Sequence, residues 1–320
     1  MTIQEIYDLA LQMAIKADPR GEAFVKKMLL KAKKEADSMS AKQKRFFDVE
    51  TLKNPYSDTR MYVGDPKTPV KKILCGIDIS SAEVLLFDRL NEKGMKFDLL
   101  VSHHPEGRSL TRLHETMEVQ TDAYANSGVP INIASDLMHT RMGDVERKIH
   151  PNNYNQAIDA AKLLNVPFMN CHTFSDNLAN EFMVNFIKGK DYFSVGDIMD
   201  DLLEIPEYIE ASKDGAGPLV VAGSEKSRAG KIAVFFTGGT NPAKEIYVEL
   251  AKSGIGTIID MHMPEDAIKE MKKMHVNVIN AGHMSSDSIG LNLVFDALEK
   301  KGVEIVACSG FIRVSRKGKN

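Results

Sequence analysis

The chain has 320 residues, is 43% hydrophobic and 27% charged, and carries a formal net charge of −3. That length can bury a large core and suits two domains or one large α/β unit, while the charge balance gives no reason to expect nucleic acid or an anionic membrane as partner. No run of about 18 apolar residues offers a membrane span, the N-terminus lacks the unbroken apolar core of a secretory signal, and three separated cysteines (Cys75, Cys171, Cys308) argue for a reducing, cytoplasmic setting rather than a disulfide framework.

Residues 1–50 read as helices. Ile3, Ile6, Leu9 and Met13, then Phe24, Met28 and Leu29, recur at helical spacing beside a face rich in Lys and Glu. The basic segment 20–47 reads as a solvated face, with an oligomer contact or docking element as the alternative. From residue 70 short apolar runs alternate with amphipathic stretches. KKILCGIDIS and FDLLVSHH predict strands around a helix closed by Gly94, a βαβ unit with parallel strands. VPINIAS and VPFMNCHT predict two further strands around the helical NNYNQAIDAAKLLN. Residues 188–230 are mixed, with DIMDDLLEI helical and PLVVAGS a strand. KIAVFFTGGT, GTIIDMH, VNVINAGH and VEIVACS then predict strands separated by helices over 242–253, 264–274 and 288–301. The reading is an α/β protein of two similar, intertwined units with largely parallel strands. An N-terminal helical extension (1–50) precedes a first α/β unit (51–187), a connecting segment (188–230) and a second α/β unit (231–320).

Ligands of open parallel sheets gather outside the carboxyl ends of the strands, and the polar residues of this chain collect there. His103 and His104 end one predicted strand, His172 and Asp176 follow another, and His283 and Asp287 follow a third. If a helix begins near Ser285, His283 and Asp287 can converge across one turn, because residues spaced i and i+4 share a helix face. The adjacent histidines read either as solvated or hydrogen-bonded side chains or as ligands to two neighbouring ions. Imidazole and carboxylate without thiolate suit Zn, Fe(II), Mn, Co or Ni. TGGTNP, with Thr237, Gly238 and Gly239, reads either as a substrate-anion cradle at a helix N-terminus or as a simple tight turn.

Taken together, YVGDPKTPVKKILCGIDIS (62–80), DLLVSHHP (98–105), CHTFSD (171–176), FFTGGTNP (235–242) and INAGHMSSD (279–287) resemble, in order, the motifs of the Nif-three-like family, also called GTP cyclohydrolase I type 2 homologs. The resemblance implies two divalent metal ions held by His103, His104, Asp176, His283 and Asp287. His172 and His262 become candidates for orienting ligands or moving protons. It also implies a ring-shaped homohexamer and either of two activities. One is a metal-dependent hydrolase acting on a nucleotide or related heterocycle; the other is a non-catalytic metal carrier, chaperone or regulatory partner-binding protein. The chain departs from the family pattern in carrying Asp287 where a glutamate is usual, EGRSL after HHP, and a longer helical N-terminus.

Overall fold

The computed structural model describes residues 1–316. Within them, two sheets form from strands that are mostly short, apolar runs. In the first, β1 (Met61–Val63) is antiparallel to β4 (Phe168–Asn170). Parallel pairing then continues from β4 to β3 (Leu99–Ser102), from β3 to β2 (Lys72–Gly76), and from β2 to β9 (Glu304–Ala307). In the second, β5 (Leu219–Ala222) is antiparallel to β8 (Asn277–Asn280), which is followed in parallel by β7 (Ile255–Asp260) and β6 (Lys231–Phe235). The α/β fold with largely parallel strands expected from the sequence is therefore observed. It is intertwined in a specific way: β9, last in the chain, pairs with β2 of the first sheet.

Because alternate strand residues face opposite ways, each sheet divides its side chains between two cores. Ile73, Cys75, Leu99 and Val101 join Phe174, Leu291 and Phe295 on one face of the first sheet. Leu74 and Leu100 join Val84, Phe87 and Ile158 on the other. In the second sheet Ile259 and Ile279 face Ala179, Met183 and Ile289, whereas Ile258 and Val278 face Met138, Ile246 and Met271. The helices Thr173–Ile187 and His283–Glu299 contribute to a core on each sheet, so this packed pair lies between the two. Both follow directly on strand ends, and their first turns carry the polar residues of interest. The segment 188–230 is more than a connector, since Val195, Ile198, Leu202 and Tyr208 complete the core between the second sheet and this helix pair.

Two sequence expectations are corrected. VPINIAS is not a strand: Pro130 caps a helix, Ile131–Ile149, whose Ala134, Met138, Val145 and Ile149 are buried. That helical period emerges only over the whole segment, beyond the short window in which Val and Ile suggest a strand. The last long helix starts at His283 rather than near 288, because Gly282 at φ 104° turns the chain straight from β8 into the helix. No helix among the described residues is long and apolar enough to cross a membrane.

Candidate metal centre

The carboxyl ends of the parallel strands deliver the site. His103 and His104 follow β3 directly. His172 caps the helix after β4 and Asp176 lies in its first turn. His283 opens the helix after β8, one turn before Asp287. The three pairs anticipated from sequence converge. His103 Nε2 lies 3.4 Å from both Asp176 Oδ1 and Asp287 Oδ1. Asp287 Oδ2 lies 3.4 Å from His283 Nε2 and 3.6 Å from His104 Nε2, and those two imidazole nitrogens are 3.3 Å apart. Two groups able to hold a metal ion result, His103/Asp176/Asp287 and His104/His283/Asp287. A third, His103/His104/His172, brings His172 closer to ligand distance than the supporting role read from its sequence context.

The chemistry of these atoms fits a cation. Asp176 Oδ1 and both carboxylate oxygens of Asp287 are buried without a hydrogen-bond partner among the described residues, an expensive arrangement unless something positive sits between them. The ligand-facing nitrogens are also freed by what holds the rings from behind. His103 Nδ1 donates to the Cys171 carbonyl at 3.0 Å, and His104 Nδ1 to Asp78 Oδ1 at 2.7 Å. His172 Nδ1 donates to Asp58 Oδ2 at 2.8 Å. With Nδ1 occupied as donor, Nε2 presents its lone pair.

Electrostatics follow from crowding. Burial, Asp287 and Asp58 push the Asp176 carboxyl well above the usual carboxylate range. Burial would also raise Asp287, but the imidazoles of His103, His283 and His104 hold it below that range. Burial lowers the His283 imidazole to about 4 against the pull of Asp287, leaving it neutral, the form that ligates. Glu106, in the segment that departs from the family pattern, is pushed up to about 7 by burial and by Asp78.

Two carboxylates of the site escaped sequence reasoning. Asp78 sits two residues past β2, in the same strand-end zone as the histidines, and that position was its one available signal. Asp58 lies in an irregular segment that is pinned in place by long-range bonds. Asn170 Nδ2 donates to the Asp58 carbonyl at 2.6 Å, and the His172 backbone N–H donates to Thr59 Oγ1 at 3.1 Å. Asp58→Asn keeps the shape but weakens the anchor on His172 Nδ1. The expected outcome is a loss of roughly tenfold or more in metal affinity by chelator competition, with an unchanged circular-dichroism spectrum.

His262 reaches the site edgewise, its ring 4.2 Å from that of His283, while its backbone N–H donates to Asp260 Oδ1 at 3.3 Å. The TGG turn borders the same cavity, of about 50 Å³, through Thr237 and Gly239, whereas Gly238 is not in its wall. The following helix begins only at Lys244, so the turn does not sit at a helix N-terminus as expected. Gln120 Nε2 instead donates to the Thr237 and Thr240 carbonyls, at 3.0 and 2.7 Å.

Fold and site together define a two-sheet α/β protein with a buried His/Asp cluster able to hold metal at strand ends. The chain belongs to the Duf34/NIF3 (NGG1p interacting factor 3) family, whose model matches residues 44–312. Its structure is similar to that of a NIF3 superfamily protein from Sphaerobacter thermophilus. The TM-score is 0.76 at 25% identity, covering 97% of this chain and 98% of the other. It shares its fold with reduced HcgD from Methanocaldococcus jannaschii, with a TM-score of 0.51, 15% identity and coverage of 84% and 97%. No curated protein matches it by sequence.

Proposed function

We propose that the chain binds two divalent ions and is a metal-dependent hydrolase acting on a nucleotide or related heterocycle. The observation that carries the reading is Asp287. Its two buried, unpartnered oxygens face different imidazoles, His103 on one side and His104 with His283 on the other. On this reading His103, Asp176 and Asp287 hold one ion, and His104, His283 and Asp287 the other. A bound divalent pair supplies an acidified water and polarises a substrate oxygen.

The chain's own residues do the rest. Asp58, Asp78 and the Cys171 carbonyl orient the imidazoles, and the closely packed helix pair fixes Asp176 relative to Asp287. His262, against His283 at the cavity wall, is placed to take or give a proton. Elemental analysis is expected to find about two divalent ions per chain, falling to one or none in His103→Ala. Metal-loaded protein is then expected to hydrolyse at least one member of a panel of nucleotides, cyclic amides and phosphoesters. Full metal occupancy with no turnover across the panel contradicts the hydrolase.

One observation favours the alternative of a metal carrier. The side chains of His104 and His283 are 25% and 39% exposed, whereas those of His103 and Asp287 are each 1% exposed. One ion would therefore lie open to solvent and exchange. Transfer of half the bound metal to a competing chelator within minutes, without turnover, would select that reading. A homohexamer, the assembly inferred from the family resemblance, is tested by light scattering.

A further inference from the structure

The helix Glu22–Ser38 lies outside residues 44–312, which the family model matches, and neither sheet nor the metal centre uses most of its surface. A surface helix is held mainly by burying one apolar face. Here only Val25 and Ala36 of 17 residues are buried. Phe24 and Leu30 are exposed, and Met28 and Leu29 are half-buried. The segment that follows adds Phe46 and Val49, both exposed. Apolar side chains gathered in this way at a surface mark a contact site.

The charges beside this face identify what covers it. Phe24, Met28, Leu30 and Ala32 line a groove of about 690 Å³ between this helix and the helix Glu118–Asn126. Of the charged residues in the groove wall, Arg20 is held by Asp18 at 2.7 Å, and Lys31 faces Glu35 at 3.8 Å. That leaves Lys27 and Lys34 on one helix and Glu118 and Asp122 on the other. None of the four has an ion pair or a side-chain hydrogen bond among the described residues. Burial holds the Glu118 and Asp122 carboxyls above their ordinary values, each helped by a neighbouring carboxylate, and Arg20 pulls against that. A groove with cations on one side and carboxylates on the other is its own complement. Rotation about a two-fold axis lays the basic side of each copy against the acidic side of the other. An acidic helix from a different protein, or an anionic membrane, would suit the lysines but meet Glu118 and Asp122 with like charge.

We propose that a second copy of this chain docks in the groove through a two-fold contact. Lys27 and Lys34 of each copy meet Glu118 and Asp122 of the other, and Phe24 and Met28 of both copies fill the space between. The contact does not depend on the hydrolase reading. It deepens the assembly proposed with that reading, by assigning one of its faces to particular residues.

The test is sedimentation velocity of the full chain and of two charge-reversed variants, Lys27→Glu/Lys34→Glu and Glu118→Lys/Asp122→Lys. Each variant alone sets like charges across both halves of the contact. Its particle mass is expected to fall to about half that of the unaltered protein, with an unchanged circular-dichroism spectrum. An equimolar mixture of the two variants sets opposite charges across both halves again. It should recover the full mass, a rescue that misfolded variants could not give. A chain that is monomeric throughout overturns this contact and the homohexamer together, and leaves the groove to a helix of a different protein. Variants that keep the full mass overturn this contact alone and leave a ring built through other faces. Halved masses that the mixture does not restore also overturn it, since the charges then do not meet across a two-fold axis.

Discussion

Asp287→Asn is expected to reduce bound divalent metal from about two ions per chain to fewer than one, while the protein stays folded. The asparagine has nearly the same shape, so the packing of the helix His283–Glu299 is preserved. What changes is the donor set. One oxygen becomes an NH₂ group that repels a cation, and the other loses its charge. Two of the three candidate groups, the two assigned to the ion pair, share Asp287, so one substitution should empty both. Asp176→Asn touches only the group with His103 and is expected to leave the other ion in place. Inductively coupled plasma analysis of the two variants after dialysis reads the difference. Equal losses in both would mean that Asp287 is not shared.

Gly290→Ala is expected to destabilise the protein by about 3 kcal/mol, at the upper end of what overpacking usually costs. A methyl group at Gly290 would stand 2.1 Å from the Ser175 carbonyl oxygen and 2.7 Å from its carbon. These are backbone atoms in the first turn of the facing helix, which cannot rotate away as a side-chain tip could. The two helices would have to part, moving Asp176, next to Ser175, away from Asp287. Urea unfolding should show a lower midpoint with little change in slope. Metal retention should fall although no ligand has been altered. An unchanged midpoint would mean that the close helix contact is not what positions the two carboxylates.

The legible part of the site lies where secondary structure carries residues to one place. His103, His104, Asp176, His283 and Asp287 all sit at or just beyond the carboxyl ends of parallel strands, and strand rhythm in the sequence locates those ends. Asp58 is invisible to such reasoning, because long-range bonds from Asn170, His172 and Thr173 bring its irregular segment to the site. Gln120 is hidden differently. It lies in the helix Glu118–Asn126 and donates to the TGG turn, at Thr237, 117 residues away. VPINIAS misleads because local strand preference is overruled by the amphipathic period of residues 131–149. The placement of β9 in the first sheet is equally remote, since pairing with β2 is a long-range contact with no local signature.

The central claim is that Asp287 joins two metal sites, and anomalous diffraction tests it most directly. Crystals of the full chain grown with zinc, measured on either side of its absorption edge, should show two peaks about 3.5–4 Å apart. One should lie beside Asp287 Oδ1, His103 and Asp176, and the other beside Oδ2, His104 and His283. A single peak, or peaks that leave both oxygens of Asp287 uncoordinated, would contradict the account.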